Sequence, residues 1–173
     1  MHKRYIKSLD KLELSKKNLL DKLSGWTPEN LCARKNGKWS ALEHCYHIYL
    51  AEEASLKYVV KKLSFNPDLK DAGILHLFRL SALKFIEISP FKFKAPAAIS
   101  EQAFPGSLTL DFVKMKWSES RTELHNFFEN IDDKYVDKEI YKQPSVGRLT
   151  LNGMLQFLQF HLDRHAGHIE KQK

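Results

Sequence analysis

Residues 151–169 read LNGMLQFLQFHLDRHAGHI, and this stretch decides the fold. Leu151, Met154, Leu155, Leu158, His161, Leu162, His165 and Ile169 recur with the 3.6-residue period of one helix face. Thr150 stands just ahead of them, where a capping hydroxyl belongs. His161 and His165 lie one helical turn apart and continue the apolar stripe, so both imidazoles are expected to point into a helical bundle rather than into water. Such a pair can grip a single metal ion. It can equally be two hydrogen-bonded core residues, and the spacing alone leaves both readings open.

The same periodicity recurs upstream. Between Tyr5 and Leu23 the stripe is Ile6, Leu9, Leu12, Leu19, Leu20 and Leu23; Gly25 ends it, and Trp26-Thr27-Pro28-Glu29 reads as a short capped turn. Ser40-Ala41-Leu42-Glu43 has capping-box spacing and opens a second helix running to about Phe65, where Asn66-Pro67-Asp68 breaks it. A further helical stretch spans about Leu69 to Ile88, with Ile74, Leu75, Phe78, Ala82, Phe85 and Ile86 on one side. Pro90 and Pro96 bracket a loop that continues to Pro105-Gly106. The next helix, about Thr109 to Asn130, carries Leu110, Val113, Trp117, Leu124 and Phe128 in register with Ile131. Residues 132–149, with Pro144 and Gly147, read as irregular. The expected architecture is all-α: a four-helix bundle with an additional helix between the second and third bundle helices, forming one domain over residues 1–173.

Composition agrees and excludes several classes. The 173 residues are 43% hydrophobic and 12% aromatic, enough apolar surface for a core, so a disordered chain is excluded. Two cysteines, Cys32 and Cys45, make no disulfide framework. No apolar run approaches the ~18 residues of a membrane span, and the N-terminus has no signal-peptide core, so a cytoplasmic protein is expected. A net charge of +7 invites a nucleic-acid reading, but Lys and Arg are spread along the chain, which fits a solvated basic surface better.

Five of the eight histidines fall in two windows: His44 and His47, then His161, His165 and His168. His47 shares a helix face with Ala51, Ala54 and Tyr58, whose small members would leave interior space beside the ring. Three inward imidazoles at one end of a bundle would each need a polar partner, and one metal ion satisfies all three, provided the two helices are neighbours.

Two motifs carry a family resemblance. Gly37-Lys38-Trp39-Ser40, with Glu43 and His47 following, resembles the start of the second helix in the DinB/YfiT-like superfamily. Gly147-Arg148-Leu149-Thr150-Leu151, followed by His161, His165 and Ile169, resembles its last helix, and the Phe-Lys-Phe-Lys-Ala-Pro stretch at 91–96 is similar to members of that group. The resemblance implies a four-helix bundle holding a divalent metal, zinc, nickel or similar, on His47, His161 and His165. His168 stands where the family often has Gln; it and His44 are read as supporting or rim residues rather than ligands. The resemblance also implies a homodimer.

Three histidine ligands leave a coordination position open, the pattern of catalytic sites. Similar proteins include metal-dependent hydrolases and transferases using low-molecular-weight thiols, so the expected function is a metal-dependent enzyme acting on a small-molecule substrate, with such a thiol as cosubstrate or water as nucleophile. The alternatives are a non-catalytic bundle with a structural metal or none, and a basic nucleic-acid-binding module. No Ser-His-Asp order, Gly-rich phosphate loop or His-Glu-x-x-His motif is present. Glu43, Glu52 and Glu53 read as solvated or capping. Arg34, Arg148 and Arg164 are candidates for a thiol's carboxylates, although surface arginines are the plainer reading. Cys45 is read as core and Trp39 as a structural staple.

Overall fold

The computed structural model describes residues 2–89 and 97–172, so the 91–96 stretch lies outside the described residues. Its α-helices are α1 (Lys3–Leu23), α2 (Pro28–Cys32), α3 (Ala41–Ser64), α4 (Ile74–Ile88), α5 (Leu110–Asn130) and α6 (Leu151–Glu170). Capping chemistry sets most of the starts. Thr27, Ser40, Thr109 and Thr150 each accept a backbone N–H from the first turn, and Ser40 with Glu43 closes a reciprocal capping box.

Helices α1, α3, α5 and α6 form the four-helix bundle. Pairings along the helices give their directions. Ser8 meets Asn152 and Lys22 meets Glu170, so α1 and α6 run parallel. Glu52 meets Trp117 and Arg121 while Tyr46 stacks near Phe112, so α3 and α5 are also parallel. His44 meets His165 and His47 meets His161, so α3 and α6 are antiparallel. Parallel neighbours α3 and α5 require the chain to return along the bundle before α5 can start, and α4 travels in that connection, packed on α6. This is the additional helix expected between the second and third bundle helices.

The apolar stripes meet in two clusters. One gathers Tyr5, Leu9, Leu56, Leu124, Phe128 and Leu158 with their neighbours; the other gathers Leu20, Leu42, Cys45, Ile48, Trp117 and Leu162 with theirs. Each fully buried large side chain is worth roughly 1.5–3 kcal/mol. On α1, Tyr5 takes the inward position, and Ile6, assigned to the stripe from sequence, is 40% exposed. Between the clusters lies a polar knot. Glu52 and Arg121, 2% and 3% exposed, pair at 2.6 Å, and Trp117 Nε1–H donates to the same carboxylate at 3.0 Å. Glu52 is therefore neither solvated nor a cap, unlike Glu43.

Three expectations need correction. Residues 69–73 are extended, not helical: Ala72 N–H donates to Asp137 O, Glu139 N–H donates to Lys70 O, and Asp71 bridges to Lys138. Helix α4 therefore begins at Ile74, after Gly73, which offers no capping side chain. Its apolar side is also turned the other way. Ile74, Phe78 and Phe85 are 75%, 67% and 66% exposed, whereas Leu83, His76 and Glu87 are buried on the opposite side. Finally, residues 132–149 are not wholly irregular. Strands β1 (Tyr141–Gln143) and β2 (Gly147–Leu149) form an antiparallel hairpin, with Tyr141 opposite Leu149, closed at Gly147 with φ +93°. Leu149 and Tyr141 are buried, so the hairpin seals one end of the core. Among the described residues no helix is long and apolar enough to cross a membrane.

Candidate metal centre

Helix α3 begins and α6 ends at the same end of the bundle. This antiparallel meeting brings His47 of α3 against His161 and His165 of α6. One nitrogen from each of the three lies within 4.8 Å of the others. Ring centroids are 5.0 Å apart for His47–His161, 4.7 Å for His47–His165 and 4.6 Å for His161–His165. His47 and His165 are buried and His161 is half-buried.

The nitrogens are individually committed. His47 Nδ1 lies 2.6 Å from the Ile99 carbonyl, which can only accept, so this nitrogen carries the proton and Nε2 keeps its lone pair. That Nε2 faces His161 Nε2 at 3.1 Å. Two ligands about 2.0–2.1 Å from one ion and separated by 90–109° would sit about 2.9–3.4 Å apart, so this spacing suits a shared divalent cation. The donor set, imidazole nitrogen only, suits zinc, nickel and similar ions. His44 Nδ1 lies 2.8 Å from His165 Nδ1, and Glu87 Oε2 lies 3.8 Å from His161 Nδ1.

Burial holds His44, His47 and His165 in the neutral form that ligation requires. Desolvation, then the charge of neighbouring histidines, pushes His47 down to about 4 and His44 to about 3, and His165 well below its ordinary value. Trp39, placed just before the α3 cap, has its ring centroid 4.9 Å from His47, 5.6 Å from His44 and 6.3 Å from His165, and also meets Phe104. The residue read as a staple thus walls the cluster. Phe157 stands 5.4 Å from His161.

The segment before α5 closes over this end. Residues Ala97–Ile99 and Glu101–Ala103 form two 3-10 turns, and Arg34 bridges Glu43 at the α3 cap to Glu101 at 2.7 Å. Arg34 is therefore engaged on both sides. Arg164 Nη1 donates to the Ile86 and Glu87 carbonyls at 3.1 and 3.3 Å and lies 3.9 Å from the Glu87 carboxylate. Arg148 is exposed. Cys45 is fully buried, its thiol pushed up to about 12 by desolvation, as a core residue should be. Ala51 is buried but Ala54 is exposed, so the small-residue face expected beside His47 does not form as read.

Two contributors escaped the sequence. Ile99 acts through a backbone carbonyl, which leaves no residue-type signal. Glu87, the one carboxylate in α4, gains its role only from packing beside His161. His44, His165 and His168 form a second group whose nitrogens lie within 4.8 Å of one another, with His168 exposed.

Fold and cluster together define a four-helix bundle whose histidine cluster could hold a divalent ion at one end. The chain belongs to the DinB superfamily, whose family model matches residues 11–169. It is also similar in fold to the crystal structure of TT2238, a four-helix bundle protein, with TM-score 0.60 and 18% identity over 96% of this chain and 98% of that one. None of the curated proteins matches the sequence.

Proposed function

We propose that this protein binds a divalent metal ion, zinc, nickel or similar, through His47, His161 and His165, and that it is an enzyme acting on a small-molecule substrate, a low-molecular-weight thiol S-transferase or a hydrolase. The observation that carries the reading is the pair of Nε2 atoms from His47 and His161 facing each other at 3.1 Å, with His47 Nδ1 already committed to Ile99. When bound, such an ion with an open position lowers the pKa of water or thiol and supplies a nucleophile near neutral pH. The chain's own part is to keep His47 and His165 neutral by burial, orient His47 through the Ile99 carbonyl, and exclude bulk water with Trp39, Phe104 and Phe157. Glu87 and Arg164 supply charged groups beside His161.

Metal analysis after loading should give about one ion per chain, with His161→Ala reducing it strongly; full retention in all three single alanine variants would sink the assignment. A panel of thiols, electrophiles and hydrolysable esters and amides then tests catalysis, with chelation abolishing turnover and added metal restoring it. Chelation that lowers Tm with no turnover anywhere in the panel would replace the enzyme with a bundle carrying a structural metal. We further propose one domain over the whole chain, a cytoplasmic setting, and a homodimer joined through the outward apolar face of α4. The outward face leaves the large apolar side chains of Ile74, Phe78 and Phe85 uncovered.

A further inference from the structure

We infer that His44 is a positioning residue for the metal centre: its Nδ1 accepts the Nδ1–H of His165 and so aims His165 Nε2 at the ion. The inference rests on the metal-centre reading and extends it to a residue outside the ligand set.

The two Nδ1 atoms are 2.8 Å apart, hydrogen-bond distance, and both rings are buried. Between two neutral imidazoles one nitrogen must donate and the other accept. His165 lies between His44 on one side and His47 and His161 on the other, with centroids 5.0, 4.7 and 4.6 Å away. A donating His165 Nδ1 leaves Nε2 as its free lone pair, the same division that the Ile99 carbonyl imposes on His47. The opposite assignment would spend His165 Nδ1 as an acceptor and place the proton on Nε2, where it would block ligation. Trp39 restrains both rings, stacked on His165 and edge-on to His44. The Ser40–Glu43 capping box fixes the turn from which His44 projects, so the acceptor stands on a rigid element. The competing assignment makes His44 a ligand, together with His165 and His168, of a second ion.

Zinc affinity measured by competition with a chromogenic chelator at neutral pH, with zinc counted per chain, separates these roles. Wild type is expected to hold one zinc. His44→Ala should still hold one, with affinity weakened about 10–100-fold, the usual effect of losing a partner that orients a ligand. His44→Asn should recover most of the affinity, because its Oδ1 can stand where Nδ1 stood and accept the same proton. In zinc-loaded wild type, ¹⁵N-histidine NMR should show His165 protonated at Nδ1 and metal-bound at Nε2, a signature a merely structural role would not set. Unchanged affinity in His44→Ala, or His165 bound through Nδ1, overturns the role of His44 while leaving the metal centre intact. Two zincs in wild type with one lost in His44→Ala overturns it in favour of ligation. No zinc bound by wild type overturns both readings.

Discussion

Lowering the pH of metal-free protein from 7.5 to 4.5 is expected to remove on the order of 5 kcal/mol of folding stability through His44 and His47 alone. The folded protein holds His44 at about 3 and His47 at about 4, against an ordinary value of 6.5. Below pH 6.5 the unfolded chain takes up protons that the folded one refuses, so stability falls as pH falls and levels off only below the folded values. Each group costs about 1.36 kcal/mol per pH unit inside that window, giving roughly 2.6 kcal/mol apiece by pH 4.5. His165 and His76, also lowered chiefly by burial, act in the same direction. The loss is comparable to the whole stability of a typical domain, about 5–15 kcal/mol, so acid unfolding should begin well above the carboxylate range. Urea titrations followed by tryptophan fluorescence at half-unit pH steps would measure it, since Trp117 is fully buried. Replacing His44 and His47 together by Asn should make the slope shallower, leaving the part that His165 and His76 contribute. A wild-type stability unchanged between pH 6.5 and 4.5 would refute the claim that His44 and His47 are neutral because they are desolvated.

Arg121→Met should destabilise by about 3–5 kcal/mol, because it strands the Glu52 carboxylate in the interior, whereas Glu52→Leu combined with Arg121→Met should recover much of the loss; urea midpoints decide. Gly153→Ala should cost about 1–3 kcal/mol despite its better helix propensity, since a Cβ there would stand 3.0 Å from Leu149 Cβ and 3.1 Å from His76 Cε1; a stabilised variant would show that α4 yields easily. Light scattering of the native chain should give about twice 20.2 kDa, and Phe78→Lys with Phe85→Lys should halve it, while a clean monomer at micromolar concentration would remove the homodimer.

The bundle helices were legible because their stripes are one-sided. Leu9, Leu12 and Leu19, and Val113 and Trp117, alternate with charge, and the α6 stripe is broken by Gln156, Asp163 and Arg164, so period and direction could be read together. Helix α4 shows where that logic stops. Apolar residues surround it, and periodicity alone cannot say that Ile74 and Phe78 face out while Leu83 faces in. The β1–β2 hairpin escaped because two three-residue strands are too short to show alternation. Within the site, His47, His161 and His165 could be named from spacing and resemblance, but their convergence depended on α3 and α6 being antiparallel neighbours. The roles of His44 and Glu87 appear only after packing, since each depends on a partner more than 70 residues away in sequence.

The partner of His47 is the main-chain oxygen of residue 99, and main chain is common to every amino acid. Replacing the Ile99 side chain leaves the acceptor in place, so only a change in the path of the 97–103 turns can withdraw it. His165 depends on a side chain instead, and one codon change at position 44 removes its acceptor. The two halves of the cluster therefore differ in how they tolerate mutation. The α3 half is open to drift in its covering loop, whereas His165 on α6 is tied to the residue at position 44. Libraries aimed at reshaping the approach to the cluster should be richest in metal-competent members when they vary side chains at 97–103 and hold the loop length and position 44 fixed.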